Sequence, residues 1–539
     1  MSFLTTPTGF SALPSDCLRE IFQYFVNDMT SLYCCMLVNR TWCRIIIPLL
    51  WRRPFEYSES KSKKYFELIR TYLDCLTNSA RMRIRKVGYY LPSYPRPLFP
   101  YHEYLKELDC EKLDEAVEEW IGRFEFDQCL EDPDDIIYTE LLKLLMSQRQ
   151  SLWRLRLGQY KKGYNLPPIS TFPRIKYTLA NLRRFEFRGD IDCLSEPGLD
   201  NLYDFLIKLS HISNGIEKIY IDMTEDDYGL SVEGLQQLIA SQKNLLSFHY
   251  NQEMSEINNS KSFIEALSSN ANTLKNVEFN NIPLNEQCLG ALKKFHNLES
   301  MQFVYCYEKD IFNETVKVLE DLPSQLKVEK LMFHRGDLSS VTLEVLRLAN
   351  TNVRELTVDN IVPDLFEVIL EHCPNIVYLA AAISQKTFES LACLSTSKIE
   401  HLILKTLDTK NIETKDFQQL GKSLSLSLHH LSLNFNISVE ELSSLLKECQ
   451  SPLKSLCLKF DVITDDDINR DEYLRVVMEF AKKNELLKEF KFYLDVKSDL
   501  FDVLKAKDIF TKDIFAEAQL IIPKISQETL KPFTYSEGW

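Results

Sequence analysis

Nine histidines and fourteen cysteines are the side chains of this 539-residue chain best suited to ligate a metal or act as nucleophiles. Their spacing supports neither role. There is no Cys-x-x-Cys pair and no His-Glu-x-x-His, so a zinc site has no framework. His372-Cys373 and His429-His430 come nearest to a cluster. Both pairs fall at strand beginnings in the pattern described below, where a packed or solvated histidine is the ordinary outcome. Asp465-Asp466-Asp467 would hold a divalent ion weakly and reads better as an exposed loop. A P-loop, a dinucleotide-type glycine motif after a strand and a nucleophile elbow are all missing. These residues imply a non-catalytic protein that needs no cofactor.

A second chemistry is recognition. Arg154, Arg156, Arg184 and Arg188 are close in sequence, and guanidinium pairs bidentately with phosphate or carboxylate. They would read a phosphorylated or acidic target only if one scaffold turned them the same way. An ordinary solvated face is the competing explanation.

The scaffold is legible as a repeat in which an apolar residue is followed by others at i+3 and i+5. The instances are Leu152-Leu155-Leu157, Leu182-Phe185-Phe187, Ile216-Ile219-Ile221, Leu245-Phe248-Tyr250, Leu274-Val277-Phe279, Leu298-Met301-Phe303 and Val328-Leu331-Phe333. Then come Val353-Leu356-Val358, Ile376-Leu379-Ala381, Ile399-Leu402-Leu404, Leu428-Leu431-Leu433, Leu453-Leu456-Leu458 and Leu487-Phe490-Phe492. About thirteen units follow one another at a mean step of roughly 28 residues. Leu238, Leu267, Leu346, Ile369 and Leu446 precede their triplets by roughly seven positions, within segments of helical apolar spacing. Each unit is then a short strand, a loop and a helix, and parallel strands joined by crossovers stack into a solenoid. A generic helical array rich in leucine is the alternative.

Alternation along each strand sends the residues between the buried anchors outward. Arg154, Arg156, Arg184, Arg188, Tyr220, His249, His334, Tyr378, His401 and His430 are therefore candidates for target binding on the strand face. This part of the chain resembles the long-repeat leucine-rich-repeat horseshoes, most closely at Glu371-His372-Cys373-Pro374-Asn375-Ile376-Val377-Tyr378-Leu379. In that family an Asn or Cys three residues after the triplet bonds the neighbouring coil. Cys306 and Asn436 fit, Asp190, Thr224, Ser384, Asp461 and Asp495 are polar substitutes, and Ile282, Ile361 and Leu407 cannot serve.

The N-terminal residues form a separate signal. Leu18, Ile21, Phe22 and Phe25 recur at i, i+3, i+4 and i+7 behind Pro14, which is suited to the first helical position. Asn27-Asp28 breaks this helix, a second apolar stretch contains Leu32, Cys35 and Met36, and Asn39-Arg40 introduces a third with Trp42, Ile45, Ile46 and Leu49. Three such short helices cannot bury all their apolar faces against one another.

In order, Leu13-Pro14, Ile21-Phe22, Asp28-Met29-Thr30-Ser31-Leu32, Val38-Asn39-Arg40-Thr41-Trp42 and Leu50-Trp51-Arg52 resemble the F-box. Asp16 replaces the usual Glu, Cys17 the usual Leu, and Pro48 is expected to interrupt the third helix. A helical cap on the following domain would be the plainer reading of the apolar spacing. The F-box resemblance implies docking to a Skp-type adaptor, and through it a cullin, by Leu13, Pro14, Leu18, Ile21, Phe22, Trp42, Leu49 and Trp51. It further implies a substrate-recognition subunit of a cullin-RING ubiquitin ligase, with an adaptor-bound scaffold lacking any ligase role as the alternative. The whole layout is similar to members of an expanded fungal F-box family.

Between these signals, Phe66, Ile69, Leu73 and Leu76 form one helical stripe and Leu113, Val117, Trp120 and Ile121 another. Pro92, Pro95, Pro97 and Pro100 interrupt helix, and Glu131-Asp132-Pro133-Asp134-Asp135 reads as an acidic turn. The fold class expected is α/β: a leucine-rich-repeat horseshoe solenoid preceded by an all-α three-helix F-box. Its divisions are a flexible tail over 1–12, the F-box over 13–55, a helical bridge over 56–150, repeats over 151–495 and a C-terminal cap over 496–539.

Lys plus Arg of 63 against Asp plus Glu of 78 gives a net charge of -15, which disfavours nucleic acid as a partner. Arg81, Arg83, Arg85 and Lys86 read as a solvated face. Cysteines scattered through apolar patterns suit a reducing compartment, and neither a leader nor a membrane-length apolar run is evident. The expectation is a cytoplasmic or nuclear protein that engages other proteins and no membrane.

Overall fold

The computed structural model describes residues 13–55, 61–86, 91, 97–123, 133–158, 166–189, 194–223, 230–252, 260–284, 286–308, 326–336, 338–359, 363–384, 387, 389–406, 414–462, 470–496 and 512–530. The expected tail over 1–12, Pro92, Pro95, Glu131-Asp132, Asp190, Thr224, Ile361, Leu407 and Asp465-Asp466-Asp467 lie outside them, as do the side chains of Asp461 and Asp495 and most of the proposed cap. Two compact units divide the chain, Met1–Leu274 and Lys275–Trp539.

The first unit begins with three short helices, α1 (Ser15–Gln23), α2 (Met29–Met36) and α3 (Arg40–Leu50). Their boundaries follow from local chemistry. Asp28 caps α2, its carboxylate accepting from the Ser31 N–H at 3.0 Å and the Ser31 hydroxyl at 2.6 Å. Asn39 caps α3 by accepting from the Trp42 N–H at 2.9 Å. Pro14 stands at the N-cap of α1, one residue ahead of the first helical position. Pro48 does not interrupt α3. It sits inside the helix, and the Trp51 N–H still reaches the Ile47 carbonyl at 3.0 Å. Its missing donor therefore costs one bond in a terminal turn.

Four further helices form the bridge: α4 (Lys61–Asp74), α5 (Asn78–Lys86), α6 (Cys110–Ile121) and α7 (Pro133–Leu145). The α6 stripe of Leu113, Val117, Trp120 and Ile121 is buried, as are Ile69 and Leu73 of α4 and Leu76 just after it, while Phe66 stacks on Trp120 at 6.4 Å. The basic run on α5 is bound to its surroundings. Arg81 donates to the Leu73 carbonyl and to Asp74, and Arg83 forms a bidentate pair with Glu140 at 2.6 Å on both arms.

Five parallel strands complete this unit in chain order: β1 (Glu107–Asp109), β2 (Arg154–Leu157), β3 (Arg184–Gly189), β4 (Lys218–Met223) and β5 (Ser247–Gln252). The sheet thus begins inside the expected bridge, one coil before the first triplet. Leu105, Leu108 and Cys110 repeat the i, i+3, i+5 spacing and are buried. A cysteine in the third place hid that unit from a search for larger apolar residues.

The second unit continues with β6 (Asn276–Asn280), β7 (Pro283–Leu284), β8 (Ser300–Val304), β9 (Tyr307–Glu308), β10 (Lys330–His334), β11 (Glu355–Val358), β12 (Tyr378–Ile383), β13 (His401–Thr406), β14 (His430–Asn434), β15 (Ser455–Val462), β16 (Glu489–Val496) and β17 (Lys524–Leu530). The pair β7 and β9 forms a separate small sheet, and the others run parallel in the order β6-β8-β10-β11-β12-β13-β14-β15-β16-β17. Here the repeat outlasts the expected boundary at 495, because β17 pairs with β16 through Phe490 and Ile525. Every triplet residue from Leu152 to Phe492 is buried; the second and third residues of each triplet lie on one strand, and the first stands two positions ahead of it. The middle residues stand in register, Val277, Met301, Leu331, Leu356, Leu379, Leu402, Leu431, Leu456 and Phe490 among them. This is a leucine-rich-repeat solenoid.

Coil-to-coil polar ties occur in two places. Cys306 behaves as expected, its thiol donating to the Phe279 carbonyl one coil back at 3.2 Å, whereas Ile282 is simply buried. A second ladder runs ahead of the strands and escaped the sequence reading. In the first unit Thr178 donates to Gln148 O at 3.2 Å, Gln242 to Ser213 O at 3.0 Å and Asn270 to Ile239 O at 3.0 Å. In the second, Asn352 donates to Leu326 O, Ser425 to Ser397 O, Ser451 to Ser425 O and Asn484 to Ser451 O, all within 3.2 Å. Each side chain satisfies a carbonyl of the preceding coil that burial would otherwise orphan, a stabilisation of about 1 kcal/mol apiece.

Candidate docking and target-binding surfaces

The three N-terminal helices enclose a core of Leu18, Phe22, Leu32, Ile45 and Ile46, against which Trp42, Leu49, Met29 and Met36 pack. Phe22 meets Trp42 edge to face at 5.0 Å. Leu18 and Phe22 are each 2% exposed, so neither reaches a partner's surface. The spacing that marked them as docking residues marks instead the face that α1 spends on its own module. Leu13 and Pro14 are exposed, and Ile21, Trp42 and Leu49 are half-buried.

What the module presents outward is a different set. Tyr24 is 89% exposed, Leu37 67%, Val38 60% and Tyr33 56%, with Phe25 and Leu13 less so. Tyr33 and Leu37 are one helical turn apart and share a face. Tyr24 and Phe25 follow α1, and Val38 lies in the turn to α3. Large apolar side chains crowded onto so small a module mark an interaction surface. A cluster of aromatic and aliphatic residues at the helix junctions was the sequence signal that would have found them.

Trp51 faces the other way. Its indole lies 4.2 Å from the Tyr101 ring and 5.5 Å from that of Tyr72 on α4, centroid to centroid. The next residue extends this seam. The Arg52 carbonyl accepts from the N–H groups of Lys106 and Glu107 at 2.8 and 3.1 Å, and its guanidinium covers Trp153 at 3.9 Å. Arg53 donates to Val26 O at 3.3 Å and to Asn27 Oδ1 at 2.5 Å, while Lys112 donates to Phe55 O at 3.4 Å. The exit of the three-helix module is thereby fixed to the first strand of the solenoid.

On the strand face of the first unit the four arginines do come together, and carboxylates take them up. Arg154 forms a bidentate pair with Glu186 at 2.7 and 3.0 Å and lies 3.6 Å from Glu107. Arg156 bonds Asp109 at 3.2 Å and Glu111 at 2.7 Å. Arg184 pairs with Glu186 at 2.5 Å and lies over Tyr220 at 4.5 Å, and Arg188 is 3.6 Å from Asp222. Burial alone would raise the Glu186 carboxyl, yet the hydrogen bonds and charges of Arg154 and Arg184 hold it below the usual carboxylate range. The reading of an acidic degron by open arginines is thus corrected. The sequence signal lay in Glu107, Asp109 and Glu186, which strand alternation places beside the arginines, and in Glu111 in the first turn of α6. Tyr220 and His249 sit on neighbouring rungs with rings 5.7 Å apart.

The second unit presents its own row. Tyr378, His401 and His430 occupy successive rungs, and the two histidine rings stack at 4.1 Å. Burial and the neighbouring His401 push His430 below the usual histidine value. His334 pairs with Asp359, whose second role is to accept the Arg335 N–H at 2.9 Å. Arg335 is left-handed at φ 53°, as are Asn281 and Tyr305 at the same step after β6 and β8. Lys405, which sequence reading passed over, is pushed down to about 8 by burial and by Lys459 and Arg335, against the opposing pull of Asp359. Glu489 is pulled down to about 2 by its bond to Lys524, helped by Lys491 at 3.2 Å and Ser455 at 3.0 Å.

Among the described residues no group of histidine, cysteine and carboxylate side chains has metal-site geometry, and no helix is long and apolar enough to cross a membrane.

Comparison with known proteins agrees with the N-terminal geometry. Residues 10–57 match the F-box-like family model. No curated protein matches the chain. Among solved structures, the leucine-rich repeat-containing protein LegL7 from Legionella pneumophila aligns over 70% of this chain and 91% of its own, at 12% identity and a TM-score of 0.28. The solenoid assignment rests on the strand register and buried triplets, not on that likeness.

Proposed function

We propose that this chain, an F-box-like domain carried on a leucine-rich-repeat solenoid, is a substrate-recognition subunit of a cullin-RING ubiquitin ligase. The observation that carries the reading is the exposure of Tyr24, Tyr33, Leu37 and Val38 on the module that matches the F-box-like family. Such a surface is incomplete until a Skp-type adaptor covers it. An ordinary interface buries about 1,600 Å² and draws its energy from a few central anchors, a demand that these side chains can meet.

The other half of the function belongs to the solenoid. Each unit's strand face offers aromatic side chains on neighbouring rungs, Tyr220 and His249 in the first and Tyr378, His401 and His430 in the second, of a kind suited to an extended polypeptide. The seam of Trp51, Tyr72 and Tyr101 supports the reading further, because a receptor accelerates ubiquitin transfer by holding its target at a fixed distance. The protein itself then makes and breaks no bond, and it works in the cytoplasm or nucleus, where the ligase resides.

Adaptor pull-down followed by reconstituted ubiquitin transfer tests this. Capture of adaptor and cullin with modification of a protein bound by the solenoid is expected. Adaptor capture without cullin or any modification would assign the scaffold role instead.

A further inference from the structure

Toward the C-terminal ends of the strands in the second unit, one outward row gathers charged side chains. Register places Ala382 on β12, Lys405 on β13, Asn434 on β14, Lys459 on β15 and Tyr493 on β16 side by side. At the β10 end of the row His334 pairs with Asp359, and Arg335 donates its N–H to the same carboxylate at 2.9 Å. Lys405 is half-buried here, although lysine ordinarily keeps its ammonium in water. Ala382, 3% exposed, offers only a methyl group beside it. Arg335 comes from the β10 side of the row and Lys459 from the β15 side, and both act on the Lys405 charge, as does Asp359. The ammonium is therefore disfavoured by burial and by like charge, and Asp359 opposes both. With the amine pushed down to about 8, on the order of a hundredfold more of it is neutral near pH 7 than on an ordinary lysine. A neutral amine is a nucleophile, and an anion formed on it would be attracted by the same Arg335 and Lys459 that repel the ammonium.

We propose that Lys405 is a carbamylation site, its amine taking up carbon dioxide to form a carbamate flanked by Arg335 and Lys459. The Nζ lone pair attacks the carbon of CO2, a C–N bond forms as one C=O pair moves onto oxygen, and the proton leaves Nζ for solvent. Nothing is oxidised or reduced. Carbon dioxide suits the place because it is small and uncharged, so it loses little on leaving water beside the Ala382 methyl, yet its product is an oxyanion that guanidinium and ammonium groups hold by charge-assisted hydrogen bonds. An acyl donor would leave a neutral amide, which those two cations do not favour. Lys405 changes from cation to anion, and this part of the strand face thereby alters its charge with dissolved CO2. The chemistry is independent of the docking reading above.

Carbon-13 NMR of the full chain in labelled bicarbonate tests the inference, with trialkyloxonium trapping and peptide mapping to locate the adduct. A carbamate at Lys405 is expected, and at constant dissolved CO2 it should increase as pH rises through about 8 and Nζ loses its proton. The titratable and charged groups facing this row are His334 and Arg335 from β10, Asp359 after β11, Lys459 from β15 and Tyr493 from β16, while Ala382 and Asn434 on the adjoining strands are uncharged. Lys405→Arg should abolish the adduct. Lys459→Gln and Arg335→Gln should each lower occupancy roughly threefold, since each removes a repulsion from the ammonium and an attraction from the carbamate, whereas Asp359→Asn should raise it by a similar factor. Melting temperatures identify the variants that fold, and wild type alone is already decisive. An adduct no more frequent at Lys405 than at exposed Lys422 would overturn the proposal. So would occupancy that a folded Lys459→Gln leaves unchanged, or that a folded Asp359→Asn lowers.

Discussion

Trp51 and Tyr101 pack ring against ring at 4.2 Å, and this contact turns an aromatic at the exit of α3 toward the bridge. With Tyr72 at 5.5 Å on its other side, Trp51 is a hinge pin between module and bridge. Docking geometry, rather than docking affinity, depends on it.

Trp51→Ala should therefore lower stability by about 3 kcal/mol, since a half-buried indole leaves a cavity between two rings. Urea unfolding reads the loss. Adaptor affinity of the folded variant should stay within about threefold of wild type, while hydrogen exchange over 52–55 rises.

Glu186 is the shared counter-ion of Arg154 and Arg184, itself mostly buried. Glu186→Gln leaves two guanidinium groups facing each other and should cost about 2 kcal/mol, with exposure discounting the larger cost of a fully buried pair. Arg184→Met should restore part of that loss in the Glu186→Gln background, a coupling that a double-mutant cycle measures.

The last strands should loosen in acid. Glu489 binds Ser455 on β15 and Lys524 on β17, and its folded value of about 2 lies below the 4.5 of an ordinary glutamate. A depressed carboxylate contributes fully above its unfolded value and loses that contribution as pH falls through the folded one. Exchange of the β17 amides should accelerate between roughly pH 4.5 and pH 2, and Glu489→Gln should remove this pH dependence. A β17 edge indifferent to acid would contradict the assignment.

The solenoid was legible because its signal is repeated. Each triplet tests the same spacing, so Cys110 in the third place of the first unit and Ile522-Ile525 in the last could be missed without obscuring the rest. The α2 and α3 caps at Asp28 and Asn39 were legible as helix breaks for the same local reasons that make them caps. The docking surface was not. Apolar spacing finds the buried face of a helix, and in α1 that face holds Leu18 and Phe22, whereas Tyr24, Tyr33 and Leu37, which the proposed docking would use, are exposed and carry no such spacing. The arginine cluster misled for a related reason. Its neutralising carboxylates lie up to 47 residues away in sequence and become neighbours only through strand register.

Affinity of the purified chain for a Skp-type adaptor, measured by calorimetry for wild type and for Tyr33→Asp with Leu37→Asp, tests the central claim most directly. The account predicts that wild type binds and that the double variant, with an unchanged melting temperature, binds at least about thirtyfold more weakly, a loss of about 2 kcal/mol. Wild type that does not bind the adaptor, or a double variant that binds as tightly, would contradict it.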